Sequence, residues 1–305
     1  MTHPYNHANY ARTLAPKDDV VLSQTLGVPL RLRTIAGTGL IDASGLYPLS
    51  PNLCQPTRDD LLAELRGLGA VSLVLVSDPL ATTLPECFDL ARPYKAHHVI
   101  DPALGAPGFS KHHRAEVRRA QRHCTARQIL LGEHLQDFIR LYNVLIERHG
   151  LDGVHRFGPE HFAHLAAHPD DFPTFGAFVE GRLVSAHIWA QAGNCAYSHL
   201  AASDPKGYEI GASYAVYDCA IRHLSGCTLT LGGIPDGPGG DGLTRFKRGF
   251  ANSARHPHLC GVIADQPAYD RLSAPALHVD AESVLFPLYR SLPDYLPPTA
   301  PSSQD

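Results

Sequence analysis

The chain has 305 residues, 44% hydrophobic and 18% charged, with a formal net charge of −4. These values fit one large or two ordinary folded domains and exclude a disordered chain. The longest apolar run, Leu68 to Val76, is too short to cross a membrane, and Met1 to Leu14 carry no apolar secretory segment, so a cytoplasmic location is expected.

In chain order, the first 18 residues are polar and read as a flexible tail. Val20 to Leu22 and Leu30 to Ile35 read as strands around the turn Gly27-Val28-Pro29. Asp42 to Asn52 is rich in turn residues and reads as a loop. Asp59 to Leu68 has helical spacing, and Val71 to Val76 is a buried strand by its continuous apolar character. His97 to Ile100 is a further strand. Ser110 caps a basic helix reaching Arg127. Glu133 to His149 is a helix with a clean apolar stripe, stopped by Gly150.

The second half changes rhythm. Thr174 to Val179, Leu183 to Gln191 and Cys195 to Ala201 read as three antiparallel strands, joined at Glu180-Gly181 and Gly193-Asn194. Lys206 to Ala212 reads as a glycine-containing loop feeding a helix over Tyr214 to Leu224. Thr228 to Leu231 is a strand running into Gly232-Gly233-Ile234. The flexible segment Pro235 to Gly242 reads as a surface loop or lid, and Pro297 to Asp305 as a second tail.

Seven cysteines without a C-x-x-C pair exclude a disulfide framework or a zinc ribbon. Among 19 histidines, the groups 161/164/168 and 256/258 with Cys260 lack a complete ligand set, so no metal is expected. P-loop, dinucleotide-binding and G-x-S-x-G signatures are absent.

Three features can carry chemistry. The strand–strand–strand–glycine loop–helix–strand order from 174 to 234 resembles the core of a GNAT-type N-acyltransferase. In such a core the helix N-terminus faces donor phosphates. Lys206 to Ala212 departs from the R/Q-x-x-G-x-G/A signature for coenzyme A, because Tyr208 stands where Arg or Gln belongs if Gly211 is the first signature glycine. On the basic helix, Lys111, Arg114, Arg118, Arg119 and Arg122 share an arc of roughly 140°. That face is either a solvated surface or an anion site in a chain that is otherwise acidic. Finally, Arg245-Phe246-Lys247-Arg248-Gly249-Phe250 sets three cations among two aromatics. A cation beside a developing oxyanion stabilises it, and an aromatic ring can stack a terminal base.

Together these residues resemble the Fem family of aminoacyl-tRNA-dependent transferases. Arg114-x-x-Val117-Arg118-Arg119-Ala120 is similar to that family's R-x-x-I/V-R-K-A helix. Gly211-Ala212-Ser213-Tyr214 and Leu231-Gly232-Gly233-Ile234 are similar to its helix and D-F/L-G-G-I strand end, with Thr230 in place of the aspartate. Residues 245–250 are similar to its R-F-K-K-x-F motif.

The resemblance implies an α/β (α+β) fold of two GNAT-like domains, with mixed sheets flanked by helices and no coiled-coil arm. The first domain would span 20–150 on the acceptor side, and the second 151–290 on the acyl-donor side. It implies transfer of an amino acid from aminoacyl-tRNA to an amine of a peptide or carrier-bound peptidyl acceptor, in cell-wall or antibiotic biosynthesis, as in pacidamycin-type alanyltransferases. Aminoacyl-tRNA is then a co-substrate, and no further cofactor is needed. Lys247 and Phe246 become catalytic, and Lys111, Arg114, Arg118, Arg119, Arg122, Arg245 and Arg248 tRNA-binding. Gly211, Ala212, Gly232 and Gly233 form the donor loops. Two alternatives stay open: an acyl-CoA-dependent N-acyltransferase on the same fold, and an RNA-binding module without catalysis.

Overall fold

The computed structural model describes residues 2–150, 156–233, 240–277 and 285–292. In chain order the elements begin α1 (Ala8–Arg12), β1 (Val20–Leu22), β2 (Pro29–Ile35), β3 (Leu40–Gly45), α2 (Arg58–Gly67), β4 (Ala70–Val76), β5 (Leu90–Pro93) and β6 (His97–Ile100). Next come α3 (Lys111–Gln121), β7 (Thr125–Ile129), α4 (Leu135–His149), α5 (Pro159–Ala167), β8 (Thr174–Val179), β9 (Arg182–Ala192) and β10 (Cys195–Ser203). The rest are α6 (Pro205–Ile210), α7 (Ala212–His223), β11 (Thr228–Thr230), α8 (Gly240–Arg248), β12 (Ser253–Arg255), β13 (His258–Ile263) and α9 (Gln266–Leu277).

The strands form two mixed sheets, ordered β1-β2-β3-β4-β13-β5 and β12-β6-β11-β10-β9-β8-β7. Each belongs to its own compact unit, one built on Tyr5–Tyr94 with the chain from His258 onward, the other on Lys95–Pro257. The expected boundary at 150/151 is therefore corrected. β6, α3, β7 and α4 belong with the second sheet, since β6 pairs with β11 and β12, and β7 pairs with β8. Likewise β13 lies between β4 and β5 in the first sheet, although it follows them by more than 160 residues.

In the first unit, Leu61, Leu62 and Leu65 of α2 pack on β4 residues Leu73 and Leu75. Two expectations change here. Residues 40–45 are a strand, because Asp42, Ala43 and Ser44 face a buried interior and their backbone pairs with β2. The chain start is no frayed tail, since Tyr5 and Tyr10 are fully buried and Tyr10 Oη donates to Tyr47 O at 3.1 Å. Residues 297–305 lie outside the described residues.

In the second unit, β7 to β10 form a meander, and Glu180-Gly181 makes its tight turn with φ of 51° and 82°. α7 covers this sheet with Tyr217, Ala220 and Ile221, packed on Phe175, Trp189 and Leu229. Ser110 caps α3 as expected, but the helix ends at Gln121, and Thr125 to Ile129 pair with β8. Lys206 to Ala212 is not an open loop. Asp204 caps α6 by accepting from Gly207 N at 2.9 Å, with Pro205 at the first helical position. Among the described residues no helix is long and apolar enough to cross a membrane.

Candidate active site

The second sheet opens where β10 and β11 part. They pair in parallel only over Cys195–Tyr197 with Thr228–Thr230. β10 continues along β9 to Ser203, whereas β11 stops and Leu231 N turns to donate to His98 O at 2.8 Å. Gly232 then adopts φ +82°, a conformation that favours glycine. At the same level β10 carries a bulge between Ser198 and Leu200. Ser198 is thus the first residue of β10 beyond the parallel pairing, at the apex of the cleft.

Lys247 reaches this apex from the last turn of α8. It lies on a helix and is only 8% exposed. Its Nζ donates to Gly233 O at 2.6 Å. A Cβ on residue 232 would stand 3.2 Å from Nζ and 4.0 Å from Ser198 O, so the missing side chain of Gly232 leaves room for the ammonium. No carboxylate among the described residues pairs with Lys247, and burial pushes its pKa down to about 8. Burial, and secondarily the charge of Lys247, hold His97 down at about 4 and His187 at about 3. At neutral pH the apex therefore presents one ammonium among neutral imidazoles and backbone carbonyls. Thr230, in the place of the motif aspartate, bonds His97 Nδ1 at 3.1 Å through its hydroxyl.

An aromatic wall flanks the ammonium. Phe246 meets Tyr214 and Tyr217 edge-on at centroid distances of 4.9 and 4.8 Å, and Phe250 stacks on Tyr217 at 5.5 Å. His113 of α3 locks α8 in place. Its Nε2 donates to Phe246 O at 2.8 Å, which leaves Nδ1 to accept from Ser110 Oγ at 2.9 Å. Gly249 makes this fit possible, since a Cβ there would fall 1.9 Å from the His113 ring.

The other expected site residues divide into two groups. Gly211, left-handed at φ 69°, joins α6 to α7, and Ala212 is buried in the first turn of α7. Glu116 places a carboxylate oxygen 3.9 Å from where a Gly211 Cβ would be, beside the N-terminus that would face donor phosphates. Gly233 lies against His97, whose ring would be 3.0 Å from an added Cβ. Ile234 and residues 235–239 of the expected lid lie outside the described residues.

Lys111, Arg114, Arg118, Arg119 and Arg122 are all exposed along α3, and Arg245 and Arg248 are exposed on α8. Arg119 is partly engaged, pairing with Glu116 at 3.2 Å and donating to Glu209 O at 3.4 Å. Arg114 donates to Phe109 O. The side chains of Arg118 and Arg122 make no hydrogen bond or ion pair among the described residues. Arg114 and Arg118, with Arg222 of α7, rim a groove of about 560 Å³ whose floor includes Phe109, Val117 and Ile221.

Sequence reasoning missed His97, His113, His187, Ser198 and Tyr217. Only the two glycines at 232 and 249 signalled that something must approach the backbone there. No three metal-ligating side chains cluster among the described residues.

Residues 111–248 match the acetyltransferase (GNAT) domain model. The matched stretch is less than half of the chain. It runs from α3 to α8, so both Ser110-capped α3 and Lys247 fall at its ends. FemX shares the fold at 13% identity, with a TM-score of 0.61 over 88% of this chain and 95% of that one. The C-terminal domain of a putative lysylphosphatidylglycerol synthetase from Agrobacterium fabrum aligns at 14% identity, with a TM-score of 0.59 over 89% and 92%. L-PGS from Bacillus licheniformis aligns at 13%, with a TM-score of 0.54 over 78% and 81%. No curated protein matches the chain in sequence. The solved structures share the fold over most of the chain.

Proposed function

We propose that this protein transfers an amino acid from aminoacyl-tRNA to an amine of a peptide or peptidyl acceptor. The observation that carries the proposal is the buried Lys247 ammonium, held at the strand apex without a carboxylate partner. A desolvated cation of this kind favours a reaction in which negative charge develops beside it. The acceptor amine adds to the ester carbonyl, the carbonyl electrons move to oxygen, and Lys247 balances that oxyanion. Collapse expels the ribose oxygen, which takes up the proton lost by the attacking amine, and leaves an amide. The ester is already activated, so positioning and charge stabilisation suffice without a covalent enzyme intermediate. Phe246 packs against the aminoacyl end.

The donor assignment rests on charge. Lys111, Arg114, Arg118, Arg122, Arg245 and Arg248 offer exposed cations for RNA phosphates. Residues 205–210 form helix α6 and Glu116 sets a carboxylate beside Gly211, where a coenzyme A pyrophosphate would favour an open, neutral loop. The Fem resemblance and the fold shared with FemX point the same way. Aminoacyl-tRNA as donor would place the reaction in the cytoplasm, with a cell-wall or antibiotic precursor as acceptor. The GNAT description itself favours the second reading, acyl-CoA-dependent N-acyl transfer.

The test offers the pure protein mixed radiolabelled aminoacyl-tRNAs, then labelled acyl-CoAs, each with small peptide amines. Amine-stimulated loss of label from tRNA supports the proposal. Turnover with acyl-CoA alone assigns the second reading instead.

A further inference from the structure

Lys247 is one donor to the reacting oxygen, and the same face of the sheet holds a hydroxyl prepared for the same task. Ser198 sits at the apex, half-buried, where β10 leaves β11. The bulge at His199 is an extra residue on β10, and bulges re-aim neighbouring side chains. Ser198 pairs across the sheet with Trp189, so His187 lies on the same face, one diagonal away. Its Nε2 is 2.9 Å from Ser198 Oγ.

The His187 ring is almost fully buried, and its Nδ1 has no hydrogen-bond partner. A proton on Nδ1 would leave a buried donor unsatisfied, which is the costlier arrangement, so the proton belongs on Nε2. Nε2–H then donates to Ser198 Oγ. Tyr217 stacks on His187 at 4.5 Å and so holds its ring in place. A hydroxyl accepts two bonds and donates one. With His187 as donor, the Ser198 hydrogen is left for another partner. Tyr217 also meets Phe246, the residue preceding Lys247, so both donors hang on one aromatic framework.

We propose that Ser198 Oγ–H is a second hydrogen-bond donor to the reacting carbonyl oxygen, completing an oxyanion site with Lys247, and that His187 and Tyr217 are the residues that position it. The inference rests on the acyl-transfer reading of the cleft, though not on the identity of the donor. No proton changes hands at Ser198. The hydrogen bond shortens as charge moves onto the carbonyl oxygen and relaxes when the leaving oxygen departs.

The experiment compares wild type with Ser198→Ala, Ser198→Thr and His187→Phe, using whichever of aminoacyl-tRNA or acyl-CoA the wild type turns over. Failure of the tRNA reading thus appears as a change of donor, separately from the fate of Ser198. Ser198→Ala is expected to lower kcat about 100-fold with KM within twofold, and Ser198→Thr, which keeps the hydroxyl, to recover most of it. His187→Phe should lower kcat by about tenfold with KM unchanged, since the hydroxyl remains but is no longer aimed. A phosphonate analogue of the donor ester, mimicking the tetrahedral oxyanion, should bind Ser198→Ala about 100-fold more weakly than wild type. Near-wild-type kcat and phosphonate affinity in Ser198→Ala would overturn the proposal. If Ser198→Ala fails to fold, the same two readings on Ser198→Cys, a weak donor of similar size, decide it with the same signs.

Discussion

An ammonium buried without a counter-ion is held in place by the rest of the fold, and at Lys247 that burial sets the protonation. It lowers the pKa from 10.5 to about 8, so the side chain is largely charged at pH 7. With hydroxylamine as acceptor, whose amine is unprotonated at neutral pH, the transfer rate should fall as pH rises through about 8. Lys247→Arg keeps its charge and should lose that decline while recovering only part of the rate, because a planar fork does not occupy a point-charge site. Stability runs the other way. The folded pKa lies below the unfolded one, so between about 8 and 10.5 the unfolded chain holds a proton the native protein has released, and stability rises with pH across that window. Denaturant midpoints that stay level from pH 8 to 10.5 would contradict a desolvated Lys247. The RFK motif was legible in the sequence, because three cations among aromatics are unusual. The burial of its lysine was not. It depends on Gly232 leaving space and Gly233 offering a carbonyl, both brought there by a strand that ends 17 residues earlier.

Elements place these residues through a few close contacts. Gly249 lets the His113 ring lie against the end of α8, so Gly249→Ala should destabilise the second sheet's unit by about 3 kcal/mol, read from urea unfolding. Activity should fall with it, since Phe246 and Lys247 share that docking. On α3, charge reversal at Arg118 and Arg122 should weaken tRNA binding and flatten its salt dependence, with the fold intact. The same change at Arg119 should also loosen α6, because Arg119 ties α3 to Glu209 O. Unchanged affinity and salt slope in the Arg118/Arg122 variant would return α3 to an ordinary solvated surface. Alternation and apolar runs made the meander β8 to β10 and helix α4 legible. α6 was not, because Gly207 read as a loop residue. In the fold that glycine is needed for closeness, since an added Cβ would come 2.2 Å from Val184 O. The signal that could have found α6 was Asp204-Pro205, a cap followed by a helix-starting proline.

At the scale of the whole molecule, the two units interleave along the chain, and nothing local announces it. β13 is a short apolar strand like several others, and its place between β4 and β5 is a long-range pairing that spacing cannot encode. The same unit closes on Asp42, fully buried, which receives Arg33 at 2.8 Å, Arg290 at 2.9 Å and Tyr289 at 3.0 Å. Asp42→Asn leaves the buried Arg290 without its counter-charge and should cost about 3 kcal/mol in chemical unfolding. A loss below about 0.5 kcal/mol would show that solvent, and not Asp42, balances Arg290. The central claim is that Lys247 supplies the charge for acyl transfer from aminoacyl-tRNA to an amine. The measurement closest to it is single-turnover transfer of labelled amino acid from saturating aminoacyl-tRNA to a peptide amine, by wild type and Lys247→Ala, with melting curves on the same samples. The account predicts rapid transfer by wild type and a loss of on the order of 100-fold in a folded Lys247→Ala protein. A folded Lys247→Ala protein that transfers at the wild-type rate would contradict it.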